Sequence, residues 1–162
     1  MRRSVSILVA GLFAGLVAGC APAAPVAPWV EWGMTDAEAT ARSAGALSPA
    51  RLEEPDHLQV EEPQFVSKGR IRQGDRWFDA AFVFDPRERR LHRIALSLSD
   101  ADGCARLLDE TLARRGRPDR LLKGSRQGLG GMYVWDGPGG VMLNYRPRFS
   151  DCVLIYSAPT RR

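Results

Sequence analysis

The chain has 162 residues, 44% of them hydrophobic, with 23 Lys and Arg against 19 Asp and Glu and a formal charge of +4 at pH 7. That length suits one domain with a real core rather than several. So small a charge excess is no argument for nucleic acid as a partner.

The first residues are Met1-Arg2-Arg3, followed by an apolar run over 5–17 and then Ala18-Gly19-Cys20. A charged, then apolar, then small-residue order is that of an export signal. The run is shorter than the roughly 20 apolar residues a spanning helix needs, and a proline-rich stretch follows it. The segment therefore reads as a removable address.

Leu16-Val17-Ala18-Gly19-Cys20 resembles the lipobox of bacterial lipoproteins at all five positions. The resemblance implies cleavage before Cys20, a diacylated Cys20 thiol and an acylated new amino group. Stable anchoring takes more than one acyl chain, so the membrane becomes the first expected partner. Ala21 stands where inner-membrane lipoproteins of Gram-negative bacteria carry a retaining aspartate, which implies the periplasmic face of the outer membrane. The alternative is an ordinary signal cut near Ala18, with Cys20 a plain thiol. The organisation expected is a signal peptide over 1–19, lipidated Cys20 and a Pro/Ala tether over 20–28, one domain over 29–158 and a tail over 159–162. Losing residues 1–19 with their two arginines leaves 143 residues, 21 basic against 19 acidic.

Residues 21–28 hold three prolines and no charge. At about 3.1 Å per residue this tether would lift the domain by roughly 25 Å. Thr35 and Glu38 then form a capping box, Met34 and Ala39 a hydrophobic staple, and a first helix is expected over 36–44 with Ala37, Ala41 and Ala44 inward. Strands are expected over 64–71, 77–84 and 91–98, joined by turns at Gln73-Gly74-Asp75 and Asp85-Pro86-Arg87. Period-two alternation puts Phe78, Ala80, Phe82 and Phe84 on one face, and likewise His92, Ile94, Leu96 and Leu98. A second helix begins near Ser99-Asp100 and stops before Gly116, with Pro118 beyond. Cys104, Leu108 and Leu112 recur along it at intervals of four, with Leu107 beside them. A Gly-rich loop over 124–131 precedes three more strands, over 132–135, 141–145 and 152–156.

With Cys20 given to lipid, only Cys104 and Cys152 remain in a chain exported to an oxidising compartment. They are expected to form one structural disulfide, since no Cys-x-x-Cys pair is present to poise a thiol for exchange. The fold class is α+β: an antiparallel sheet of about six strands with two helices on one face, in a tandem order of helix plus three strands.

Motifs for chemistry are sparse. His57 and His92 show no metal-ligand spacing with each other or with a cysteine. Glu53-Glu54 and Glu61-Glu62 sit in a polar stretch unsuited to raising a carboxyl pKa. There is no Gly-x-Ser-x-Gly elbow and no phosphate-cradling loop, so no catalytic residue, metal or cofactor is expected. Arginines gather at 87, 89, 90 and 93 and again at 114, 115, 117 and 120, suited either to anionic headgroups, polysaccharide or an acidic partner, or to solvated turns and helix ends. Trp77 and Trp135 fall opposite the expected core faces of their strands. Arg89, Arg90, Arg93, Trp77 and Trp135 are therefore the expected partner-binding residues.

The layout of signal, lipobox, tether and small α+β domain is similar to the small outer-membrane assembly lipoproteins of the SmpA/BamE type. Trp32-Gly33-Met34-Thr35 resembles the Gly-Met-Thr helix start of that group, which implies a role in outer-membrane protein assembly. The tandem helix-plus-sheet order is also similar to protein inhibitors of periplasmic or secreted hydrolases. The expected function is a non-enzymatic envelope lipoprotein that binds another protein or an envelope component. A hydrolase inhibitor is the second expectation and an envelope hydrolase the third.

Overall fold

A computed structural model describes residues 26–53, 63–123 and 130–159. The expected signal, Cys20, tether residues 21–25, Glu54, His57, Glu61, Glu62, most of the Gly-rich loop and residues 160–162 lie outside them.

Helix α1 (Asp36–Arg42) starts where the capping box places it. The Thr35 N–H donates to Glu38 Oε2 at 2.7 Å, and the Glu38 N–H donates to Thr35 Oγ1 at 3.3 Å. The helix is two residues shorter than expected, ending before Ala44, whose φ of 50° leaves the helical basin. Its inner stripe also differs. Ala37, Ala41 and Ala44 are exposed, whereas Ala39 and Ser43, four apart on one face, are buried. The cause lies at the helix start, where Met34 is in the core and Asp36 is paired with Arg89, so the next turn presents Ala39 inward. The buried Ser43 hydroxyl donates to Thr40 O and accepts from the Leu47 N–H.

Among the described residues eight strands form one sheet: β1 (Arg51–Glu53), β2 (Gln64–Gln73), β3 (Arg76–Phe84), β4 (Leu91–Leu98), β5 (Arg120–Lys123), β6 (Gly131–Trp135), β7 (Val141–Arg146) and β8 (Asp151–Ser157). Their order is β1-β2-β3-β4-β8-β7-β6-β5, every neighbouring pair antiparallel. The class is α+β as expected, with eight strands instead of about six. The two additional strands are the edges β1 and β5, of three and four residues, too short to show a period. Each half of the chain thus runs one helix and then four strands, and the halves meet where β4 pairs with β8.

Helix α2 (Ala101–Arg115) is capped by Asp100, whose carboxylate accepts the Gly103 N–H at 2.8 Å, and closed by Gly116 at φ 74°. It packs on the sheet face made by the rows Phe82–Ile94–Tyr156–Val141–Trp135 and Ala80–Leu96–Leu154–Leu143–Tyr133. Cys104 on the helix and Cys152 on β8 are both fully buried and disulfide-bonded, with Cα atoms 5.7 Å apart. The same face receives the segment after α1, where Leu47 bridges to Gly69. A Cβ at Gly69 would collide with the Ala46 carbonyl, so only glycine permits this close approach.

Two expectations about the core need correcting. The β3–β4 register shifts between Val83 and Phe84, so Leu91 faces Phe84 and Arg93 faces Val83. The extra residue is His92, carried out of the alternation by the bulge. Leu91 therefore takes the core position expected of His92, and it is buried. The packed chain also begins earlier than residue 29. Val26 is buried, its carbonyl accepts from Gln73 Nε2 at 3.0 Å, and Trp29 stacks on Phe82 with ring centroids 5.6 Å apart.

Candidate functional site

The β3–β4 turn carries most of the expected arginine cluster, and its geometry gives those side chains internal partners. Asp85 accepts the N–H groups of Arg87 and Glu88 at 2.8 Å each. These bonds, chiefly that from Glu88, hold its carboxyl below the usual range. Arg89 stands at φ 55°, pairs with Asp36, and lies 3.6 Å over the Phe65 ring. Arg90 donates to Gly33 O at 2.7 Å while its backbone bridges to Thr35. Arg89 and Arg90 thus fasten the turn to the start of α1 and are not a free patch. Arg93 is half-buried on the opposite face from the helices, where burial lowers its pKa from that of an ordinary arginine.

Trp135 is also a structural residue. Tyr133 and Trp135 pair with Leu143 and Val141, which places them on the core face, not opposite it. Trp135 is 6% exposed, its indole N–H donates to Gly116 O at 3.1 Å, and it stacks on Tyr133.

Trp77 lies where the alternation puts it, on the face away from the helices, and is 52% exposed. Arg72 pairs with it across the β2–β3 ladder, and the Arg70 guanidinium lies 5.6 Å from its ring. Arg70 also meets Asp79 at 3.5 Å. Sequence reasoning passed over these two arginines, although Lys68, Arg70 and Arg72 at intervals of two on a strand carried the signal. Across the same face runs the row Lys68–Ala81–Ala95–Ile155–Met142–Val134–Arg120, an apolar strip with a cation at each end, in which Ala95, Ile155 and Val134 are buried. Arg120 holds Asp136 through two hydrogen bonds, at 2.9 and 2.8 Å.

On the helix side, a cavity of about 300 Å³ opens at the C-terminal end of α2, with Val26, Phe78, Leu107, Arg114, Arg115 and Tyr156 among its walls. Burial pushes the Tyr156 hydroxyl pKa up, and the nearby charges of Arg115 and Arg114 oppose that push. His92, outside this cavity, has Nε2 3.2 Å from Gln64 Oε1. Burial, then the Arg93 charge, lower its pKa, against an upward pull from Asp85. Among the described residues no three His, Cys, Asp or Glu side chains gather as a metal site, and no helix is long and apolar enough to cross a membrane.

Compared with protein-family models, with curated proteins and with solved structures, the chain matches none.

Proposed function

We propose that this protein is a lipid-anchored, non-catalytic binding module of the bacterial envelope. Acyl chains on Cys20 hold it at a membrane, at the periplasmic face of the outer membrane by the residue at 21. The helix-free face of its sheet engages another envelope protein or component. The observation that carries the reading is Trp77, half-exposed beside Arg70 and Arg72 on paired strands. Tryptophan and arginine are the side chains that most often anchor an interface core. Here both are presented by a rigid ladder, so little ordering is required on binding. The repeated order of one helix and four strands fits a tandem duplication that widened this face.

A second reading, a hydrolase inhibitor, draws on the short 3₁₀ turn at Pro147–Phe149 between β7 and β8. Phe149 is 73% exposed there, an aromatic on a tip of the kind that can enter an active-site cleft.

Two measurements test the proposal. Cys20→Ser should abolish palmitate labelling and release the chain from the membrane fraction; unchanged labelling removes the anchor. A photo-crosslinking side chain beside Trp77 should capture a partner in cells, and Trp77→Ala or Arg70→Glu should reduce that capture while leaving the melting temperature in place. Capture from position 149 alone would favour the inhibitor.

A further inference from the structure

The polar groups around the cavity at the end of α2 can be accounted for one by one. Arg76 is paired with Glu110 and also donates to Gly103 O at 3.4 Å. The Thr111 hydroxyl donates to Leu107 O at 2.6 Å, and Gln73 donates to Val26 O. What is left is the Arg114 and Arg115 guanidiniums and the partly buried Tyr156 hydroxyl, none with a hydrogen bond or carboxylate partner among the described residues. Basic residues in a last helical turn are already favoured by the helix macrodipole. The macrodipole does not explain why two of them converge with a phenol on a walled cavity. All three line the same cavity, so the three groups share one locality.

Two guanidiniums and a hydroxyl donor are matched by the oxygens of a phosphate. The place of the cavity in the fold indicates which phosphate. Val26 forms part of its wall and stands six residues after Cys20. Even fully extended, that stretch reaches only about 20 Å. A chain acylated at Cys20 therefore cannot carry this cavity wall more than about 20 Å from the bilayer surface, where phospholipid headgroups are the abundant anions. Attraction to a charged surface fades within roughly 8 Å at physiological salt, so the arginines can act only by reaching the headgroups themselves.

We infer that the C-terminal end of α2 faces the membrane and that Arg114, Arg115 and the Tyr156 hydroxyl seat the phosphate of an anionic phospholipid headgroup. This rests on the lipid anchor proposed at Cys20. It also assigns the two faces different tasks, leaving Trp77 and the helix-free face for the partner.

The test uses the mature chain from residue 20 carrying Cys20→Ser, so that no acyl chain can hold it, with vesicles of phosphatidylcholine alone or containing phosphatidylglycerol. Co-sedimentation is expected with the anionic vesicles and not with the neutral ones. Arg114→Glu with Arg115→Glu should weaken it about tenfold or more, since each lost phosphate contact in an exposed site is worth several-fold. Tyr156→Phe should weaken it less. Arg87→Glu, a single charge reversal on the β3–β4 turn at the far end of β3 from the cavity wall residues Gly74 and Arg76, should leave it within about twofold of the parent, and Arg114→Glu alone should weaken it more than that. Circular dichroism and the absence of free thiols verify each fold, and Arg114→Gln with Arg115→Gln serves if the reversal does not fold. Equal binding to both vesicles, or equal loss from Arg87→Glu and Arg114→Glu, would overturn the inference. So would binding of free glycerol phosphate without binding of anionic vesicles. Palmitate labelling of the wild-type chain in cells reports the anchor separately. Labelling without vesicle binding sinks only the headgroup site, and vesicle binding without labelling sinks only the anchor.

Discussion

Opening the Cys104–Cys152 bond is the perturbation whose effect the structure sizes most directly. The bridge closes a loop of sequence separation 48. In the chain-entropy treatment, a loop of that length restricts the unfolded state by about 4 kcal/mol. Both sulfurs lie in the fully buried core between α2 and β8, and reduction removes no carbon atom from it. The loss should therefore come from the unfolded state rather than from packing. With a urea slope of about 2 kcal/mol per M for a domain of this size, reduction should lower the unfolding midpoint by about 2 M. The melting temperature should fall by roughly 8–16 °C. The assay is urea unfolding followed by tryptophan fluorescence, with and without reductant. A Cys104→Ala, Cys152→Ala chain serves as a control that reductant leaves unchanged. A shift below about 0.5 M on reduction, or two titratable thiols in the protein purified without reductant, would refute the reasoning.

Three further outcomes follow from particular contacts. Gly69→Ala drives a methyl group into the Ala46 carbonyl and should cost about 1–3 kcal/mol by overpacking, seen as a lower urea midpoint; an unchanged midpoint would mean that the segment after α1 is not seated on β2. Arg89→Ala removes the pair with Asp36 and the contact with Phe65, together about 1–2 kcal/mol, and should loosen α1 as read by amide exchange while leaving partner capture intact. His92 has a lowered pKa in the folded state, so below its unfolded value of about 6.5 the unfolded chain takes up the proton first. Stability should accordingly fall as pH drops from about 7 to 5, and His92→Gln should flatten that slope. A slope that persists in His92→Gln would assign it to another group. The lowered carboxyls of Asp85 and Glu38 contribute above the unfolded carboxylate range and lose that contribution only as pH falls below it.

The parts of the fold legible in the sequence are those with a strong local period or a local hydrogen-bond motif. The Thr35–Glu38 box, the Phe78–Phe84 alternation and the Asp100 to Gly116 boundaries each express a constraint a few residues long. The cysteine pairing was legible because the chain has three cysteines and the lipobox resemblance set Cys20 aside. What was not legible depends on distant chain. Edge strands β1 and β5 exist through their neighbours, and three or four residues cannot display a period. The bulge at His92 is set by how β4 must meet β3. Arg89 and Arg90 read as a basic patch because nothing nearby in sequence announces Asp36 or the Gly33 carbonyl, more than 50 residues away. Trp135 was misplaced because its parity depends on the pairing of β6 with β7. The cavity at Tyr156 joins residues 26, 114 and 156, a conjunction no single segment reveals.

The strand order also bears on how the chain reaches its folded state. Strand β4 lies at the centre of the sheet, yet one of its two neighbours is β8, the last in chain order of the described strands. Until residues 151–157 emerge, one side of β4 is an unpaired edge flanked by Ile94, Ala95 and Leu96, all buried in the finished protein. Such an edge invites pairing with another chain. Pairings of this sequence separation form slowly, so the half-made sheet is the species most in need of a holding chaperone. Because Cys152 rides on β8 and is bonded to Cys104 on α2, the disulfide ties this last-placed strand to the helix that covers it.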